Sequence, residues 1–174
     1  MKYSKKRASA VIEDWPDRLP LGGVEKFFLA LSGLILLASL VRLAMLYPGL
    51  PAEIPTHFNS AGEIDGTGGK GSLIFLGAID IICWLSIVAG GFFPAAINVP
   101  VFLLKRPAEE IVRGSRVVLY LTAIVVDVLF WYLFENTAMI AHGQAAGLNN
   151  IIVFGFVGAI FVLFAIYFYW LWRG

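Results

Sequence analysis

Charge is scarce in this chain, and cysteine and histidine are scarcer. Only 14% of its 174 residues are Asp, Glu, Lys or Arg, against about 25% in ordinary soluble domains. Apolar side chains make up 59%, and the mean hydropathy is +0.82. A water-soluble globular protein is thereby excluded, and an integral membrane protein is required. With a net charge of +1 and no basic face once the charges are divided between two sides, nucleic acid is excluded as a partner. The single cysteine, Cys83, falls inside an apolar run, so no intrachain disulfide forms and the redox compartment cannot be read from it. No internal repeat is present, and the apolar runs differ too much for an inverted-repeat transporter.

What the chain does have is four apolar runs of membrane length. They predict an all-α protein, a four-helix membrane bundle with spans at about 25–46, 72–93, 117–139 and 151–172. Each holds roughly the 20 residues needed to cross the hydrocarbon core. The first run begins only near Phe27 and has full span length, so it reads as a retained helix and not as a secretory signal. Residues 1–24 are polar and mixed in charge, with Trp15-Pro16 and Leu19-Pro20 set against one long helix. They read as a partly disordered tail touching lipid headgroups, ahead of a single membrane domain over 25–174.

Pro94, Pro100 and Pro107 break the chain after the second span. Residues 95–116 are read as an interfacial elbow, with Val99, Val101, Phe102, Leu103 and Leu104 at the headgroup boundary and Lys105 and Arg106 snorkelling outward. Tyr167, Tyr169, Trp170 and Trp172 predict an aromatic belt at the end of the fourth span, closed by Arg173. Gly155 and Ala159 predict a close-packing face on that span.

Basic residues orient the bundle. Lys2, Lys5, Lys6, Arg7, Arg18, Lys26, Lys105, Arg106, Arg113, Arg116 and Arg173 fall on one side, and Lys70 alone falls on the other. The positive-inside bias then predicts cytoplasmic N- and C-termini and an extracytoplasmic loop between the first two spans. That loop is the richest stretch of the chain. From Ile54 to Lys70 it combines Gly62, Gly66, Gly68 and Gly69 with His57, Asn59, Glu63 and Asp65, turn formers together with hydrogen-bonding side chains.

Four ionisable residues lie inside the spans. At about 1.5 Å per residue, Arg42 and Glu135 sit ~6 Å from the outer edge, Asp80 ~12 Å and Asp127 ~18 Å. Asp127, Trp131 and Glu135 share one helical face. An isolated charge at such depth costs about 2.5–3.5 kcal/mol, so these groups are expected to meet beneath the loop. Either they form a polar well for an ion, proton or ligand headgroup, or Arg42 pairs with an acid while protonated Asp127 holds the helices in register.

His57 and His142, with Glu53, Glu63 and Asp65, allow a zinc-type site to be drawn, although the spacing matches no established ligand motif. The alternative is that His57 orders the loop by bonding its backbone. Gly69-Lys70-Gly71-Ser72 fails as a phosphate loop: Lys70 is followed by Gly, Ile64 stands where a Gly is needed, and no strand is expected ahead of it. Ser60 has no nucleophile-elbow context. The sequence therefore names no catalytic residue and no cofactor, and it points away from an enzyme.

The run from Leu50 to Gly66, ending in Gly69-Lys70, resembles the signature P-x-x-[IV]-P-x-H-[FW]-N-x-x-G-x-x-D-G-x-x-x-K of a bacterial membrane family of unknown function. That family's domain also occurs in SdpI-type immunity proteins. Ile97-Asn98-Val99-Pro100 is similar to a second family element, and the resemblance spans residues 28–104, with the last two spans matching loosely. SdpI-type proteins protect a cell from a secreted membrane-active peptide toxin and can signal to a membrane-held repressor. The resemblance thus implies an immunity or envelope-stress accessory protein of the bacterial inner membrane, recognising a ligand or peptide at its outer face. His57, Asn59, Gly62, Asp65, Gly66 and Lys70 are the motif positions it singles out. Expected partners are membrane lipids, a peptide or protein at the outer face, and a second copy of the chain. The rival readings are a small proton- or ion-coupled transporter using Asp80, Asp127 and Glu135, a metal-dependent membrane enzyme, and a subunit whose loop packs on another chain.

Overall fold

A computed structural model describes residues 11, 13–94, 97, 99–100 and 105–174. Four long helices are packed together, with a small hairpin between the first two. Helix α1 spans Gly23–Leu46, strands β1 and β2 span Glu53–Phe58 and Ile64–Gly69, and α2 spans Gly71–Phe92. Helix α3 spans Ala108–Ala141 and α4 spans Asn150–Arg173. All four helices are long and apolar enough to cross a membrane. Their outward faces carry bare apolar side chains, such as Phe75 at 69% exposure, Phe161 at 70% and Ile151 at 83%. In water such a surface would aggregate; in lipid it is a solvated one. The chain is an integral multi-pass membrane protein.

Three of the four predicted spans agree with the helices to within two residues at each end. The third does not. Helix α3 starts at Ala108, directly after Pro107, so residues 108–116 are helix and not part of a separate elbow. Proline is well suited just before a helix because the missing N–H is not needed there. Ion pairs one turn apart, Arg106–Glu110 and Arg113–Glu109, then support the charged first turns. At 34 residues the helix is about 51 Å long, well beyond a hydrocarbon core of about 30 Å. Ala95, Ala96, Asn98 and Val101, Phe102, Leu103 and Leu104 of the expected elbow lie outside the described residues.

The loop expected to be irregular is instead a two-stranded antiparallel hairpin. Its strands escape a sequence reading because β2 is Ile-Asp-Gly-Thr-Gly-Gly, a composition depleted in strand formers. The pairing is held by tertiary support: β1 lies against α3, with Ile54 buried at 2% exposure.

Helix α3 is the hub, touching α1, α2, α4 and β1. Three apolar clusters succeed one another along the bundle. Leu43, Leu50, Ile54, Leu73, Phe134 and Ala138 pack at the hairpin end. Val88, Tyr120 and Ala123 follow, and Ala108, Ile111, Tyr167 and Leu171 pack at the terminal end. The last cluster also takes in Val11, with Trp15 against it, and Trp15 Nε1 donates to the Pro94 carbonyl at 3.0 Å. Val11 and Trp15 of the N-terminal segment therefore lie against the bundle. Lys2, Lys5, Lys6 and Arg7 lie outside the described residues.

The glycines that admit a close neighbour lie on α2 and α3 and not on α4. A Cβ added at Gly155 would meet nothing within 4 Å, whereas one at Gly77 would lie 2.7 Å from Leu43 and one at Gly91 2.7 Å from the Tyr120 hydroxyl. Helix α4 packs mainly on α3 and is the least buried of the four. Its glycines consequently have no neighbour to admit.

Candidate functional site

The hairpin is built by the motif residues themselves. Asn59 opens the turn: its Oδ1 accepts from Ala61 N at 2.8 Å and Glu63 N at 3.0 Å, and its amide donates to Glu63 at 2.9 Å. Gly62 follows with φ +84°, a conformation open to glycine and strained for other residues. Its carbonyl accepts the Leu148 N–H at 2.8 Å, and Asn150 donates to the Ser60 carbonyl at 2.7 Å. The tip is thus tied to the α3–α4 connection.

Along the strands, a bulge between Pro55 and His57 leaves Thr56 out of register. It sets His57 over Gly66, where an added Cβ would stand 3.0 Å from the His57 Cβ. His57 Nδ1 is hydrogen-bonded to Asp65 Oδ1. The partner of the His57 ring is thus a side chain and not the expected turn backbone. Lys70 closes the hairpin. Its N–H donates to Ala52 O at 3.0 Å, its Nζ to Leu50 O at 3.4 Å, and the ammonium lies 4.9 Å from the centroid of the Tyr47 ring. A strand does precede Gly69-Lys70-Gly71-Ser72, contrary to expectation, but the missing Gly and the Lys-Gly step still exclude a phosphate loop.

The two edges of the hairpin differ. Bonded and non-bonded pairs alternate in an antiparallel ladder. The Lys70-to-Ala52 bond sets the phase, making Ile54/Gly68 a bonded pair and Pro55/Thr67 a non-bonded one. Thr67 and Gly69 thus direct their N–H and C=O away from β1. On the other strand, Pro55 occupies the equivalent outward position without an N–H to offer. The β1 edge is blunted and backed by α3; the β2 edge is open and exposed.

His57 and His142 do not converge on a metal site. His142 Nδ1 lies 2.7 Å from Ala138 O and Nε2 lies 3.0 Å from Gly49 O, so its ring bridges the end of α3 and the turn after α1. Among the described residues no group of three or more His, Cys, Asp or Glu is placed to hold a metal.

The four intramembrane ionisable groups do not form one well. They form two pairs. Arg42 and Glu135 make a two-point ion pair, with Nε–Oε1 at 2.5 Å and Nη2–Oε2 at 3.0 Å, and Trp131 Nε1 donates to the same carboxylate at 3.3 Å. Their side chains are 39% and 29% exposed. Asp80 and Asp127 instead meet each other, both at 0% exposure. The Ser39 hydroxyl lies 3.3 Å from Asp80 Oδ2 while bonding Leu36 O at 2.9 Å.

A third cluster, at the terminal end, was missed in the sequence. Glu25 is 2% exposed and Arg116 1%, although both read as surface charges. Arg116 donates to Gly91 O at 2.7 Å, Leu19 O at 2.8 Å and Glu25 at 3.3 Å. Arg113 adds a 2.8 Å bond to Glu25. One signal was available: Glu25, Ser32 and Ser39 recur every seven residues, which places them on one face of α1. All three are buried, and Ser32 receives Trp84 Nε1 at 3.1 Å.

Residues 34–79 match a family described as a domain of unknown function, DUF1648. The matched stretch holds the whole hairpin, all six motif positions, Ser39 and Arg42, and it stops one residue before Asp80. No curated protein and no solved structure matches the chain. The protein is thus a multi-pass membrane protein that carries a DUF1648 domain between and within its first two helices.

Proposed function

We propose that the hairpin is an extracytoplasmic recognition element that takes up an extended peptide by strand addition to β2, in an SdpI-like immunity or envelope-stress accessory role. The observation that carries this reading is the open β2 edge at Thr67 and Gly69. Strand addition uses such backbone groups for affinity, and exposed edges are otherwise covered or blunted, as β1 is by Pro55. The neighbouring glycines leave the approach free of side chains. Glu53, Glu63 and Asp65 against Lys70 make the hairpin acidic, which favours a cationic peptide. The distribution of Lys and Arg supports an outer location for the hairpin and an inner one for both termini.

The test is Thr67→Pro. Its outward N–H is not part of the ladder, so proline removes one bond to an added strand while leaving the hairpin paired. Protection of cells against a secreted cationic peptide, or crosslinking of that peptide to the hairpin, is expected to be lost at unchanged membrane levels. Thr67→Val, which keeps the N–H, is expected to retain it. Equal activity of the proline and valine variants, together with full protection by His57→Ala, Asn59→Ala and Asp65→Ala, would overturn the reading.

A further inference from the structure

Asp80 and Asp127 present a problem of chemistry that the hairpin does not address. Both side chains are fully buried. Asp80 Oδ1 and both Asp127 oxygens have no hydrogen-bond donor among the described residues. Ionised carboxylates are acceptors only, and two of them in contact repel in a medium of low dielectric. The groups packed around them offer no neutralising charge. On α1, Ser39 is uncharged, and Arg42, one turn away, is committed to Glu135 of α3 by two bonds. On α2, Asp80 itself is the only ionisable group apart from Cys83, and α4 carries no charge before Arg173.

The site is also closed along the bundle. Leu43, Leu73 and Phe134 belong to the cluster on the hairpin side, and Val88, Tyr120 and Ala123 belong to the cluster on the terminal side. Something must bridge the two carboxyls. Hard cations such as Ca²⁺ and Mg²⁺ collect about six or more oxygens, and among the described residues Ser39 is the one side chain hydrogen-bonded to the pair. A proton needs just two.

We infer that Asp80 and Asp127 form an occluded binding site for a single proton, held between the carboxyls at the α2–α3 contact with Ser39 as a third polar neighbour. The proton converts a repulsive contact into a hydrogen bond, so α2 and α3 stay joined at this depth only while it is bound. The site is independent of peptide recognition at the hairpin, and it stands if that reading fails.

Infrared spectroscopy of the full-length chain in lipid nanodiscs tests this directly. With ¹³C-labelled aspartate, a protonated-carboxyl C=O band is expected at neutral pH, because the other described aspartates, Asp14, Asp17 and Asp65, are exposed. The band is expected to disappear in Asp80→Asn and in Asp127→Asn, where an amide N–H replaces the proton as donor to the remaining carboxylate. The labelled wild-type spectrum decides the matter even where a variant fails to fold. Absence of the band overturns the inference, as does one tightly bound metal ion per chain, which would make the pair a cation site. Persistence of an unchanged band in both single variants overturns it as well.

Discussion

Gly62 shows how much one residue carries. Its φ of +84° disfavours a side chain, and an added Cβ would stand only 2.0 Å from the Leu148 carbonyl oxygen. Gly62→Ala is therefore expected to cost about 2–4 kcal/mol, combining backbone strain with a backbone clash. The check is thermal unfolding in detergent, with Gly69→Ala as the mild comparison because nothing lies within 4 Å of its added Cβ. At the terminal end, Arg116→Met removes the side-chain donor to the Gly91 and Leu19 carbonyls and one of the two arginines paired with buried Glu25. A loss of about 3 kcal/mol is expected, in the range for breaking a buried ion pair. Arg113→Met should cost clearly less, since Arg113 is 35% exposed and water replaces part of what it gives. Equal losses in the two variants would contradict the buried character of the Arg116 cluster. Neither effect was legible from residue type: Arg116 reads as one more basic residue at a membrane edge until Gly91, Leu19 and Glu25 are brought around it.

Among the elements, the hairpin and the α1–α2 crossing are the parts that depend most on their surroundings. An isolated two-stranded hairpin is marginal in water, and this one has a strand half made of glycine. It persists because Ile54 is buried beneath it, Lys70 and Ala52 close its base, and Gly62 and Asn150 are bonded to the opposite connection. Asn59→Ala removes the side-chain acceptor of the Ala61 and Glu63 N–H groups in the turn, and a loss of about 1 kcal/mol is expected, readable as faster hydrogen exchange confined to residues 53–69. At the crossing, Gly77→Val would drive a side chain into Leu43 and Phe134. Overpacking of this kind costs about 1–3 kcal/mol, and it is expected to lower the unfolding temperature, whereas Gly155→Val on the open face of α4 should leave it unchanged. The motif of turn formers and polar residues was visible in the chain as a special stretch. That it forms paired strands was not, because glycine has no local preference for a ladder and the decision rests on what lies underneath.

For the whole molecule, the arrangement of basic residues makes a topological prediction. With Cys83 replaced by Ser, a cysteine introduced at Ser60 on the hairpin is expected to react with a membrane-impermeant thiol reagent in intact cells. One introduced at Gly174 is expected to react only after permeabilisation, and the reverse pattern would place the hairpin in the cytoplasm. The four spans were determined by the sequence by itself, because an apolar run of about 20 residues has no better solvent than lipid and a helix satisfies its backbone without help from the rest of the chain. So was the special standing of residues 54–70, whose composition suits turns and not spans. The tertiary structure alone decided the partners of the polar groups. Arg42, Asp80, Asp127 and Glu135 lie at compatible depths, but depth along an axis does not specify rotation about it. Only the packing of α1, α2 and α3 sends Arg42 to Glu135 and leaves the two aspartates facing each other. The first turns of α3 divide the same way: the Arg106–Glu110 and Glu109–Arg113 pairs are one turn apart and local to the chain, whereas Arg116 reaching Gly91 at the end of α2, Leu19 and Glu25 is a set of contacts between segments that no local reading contains.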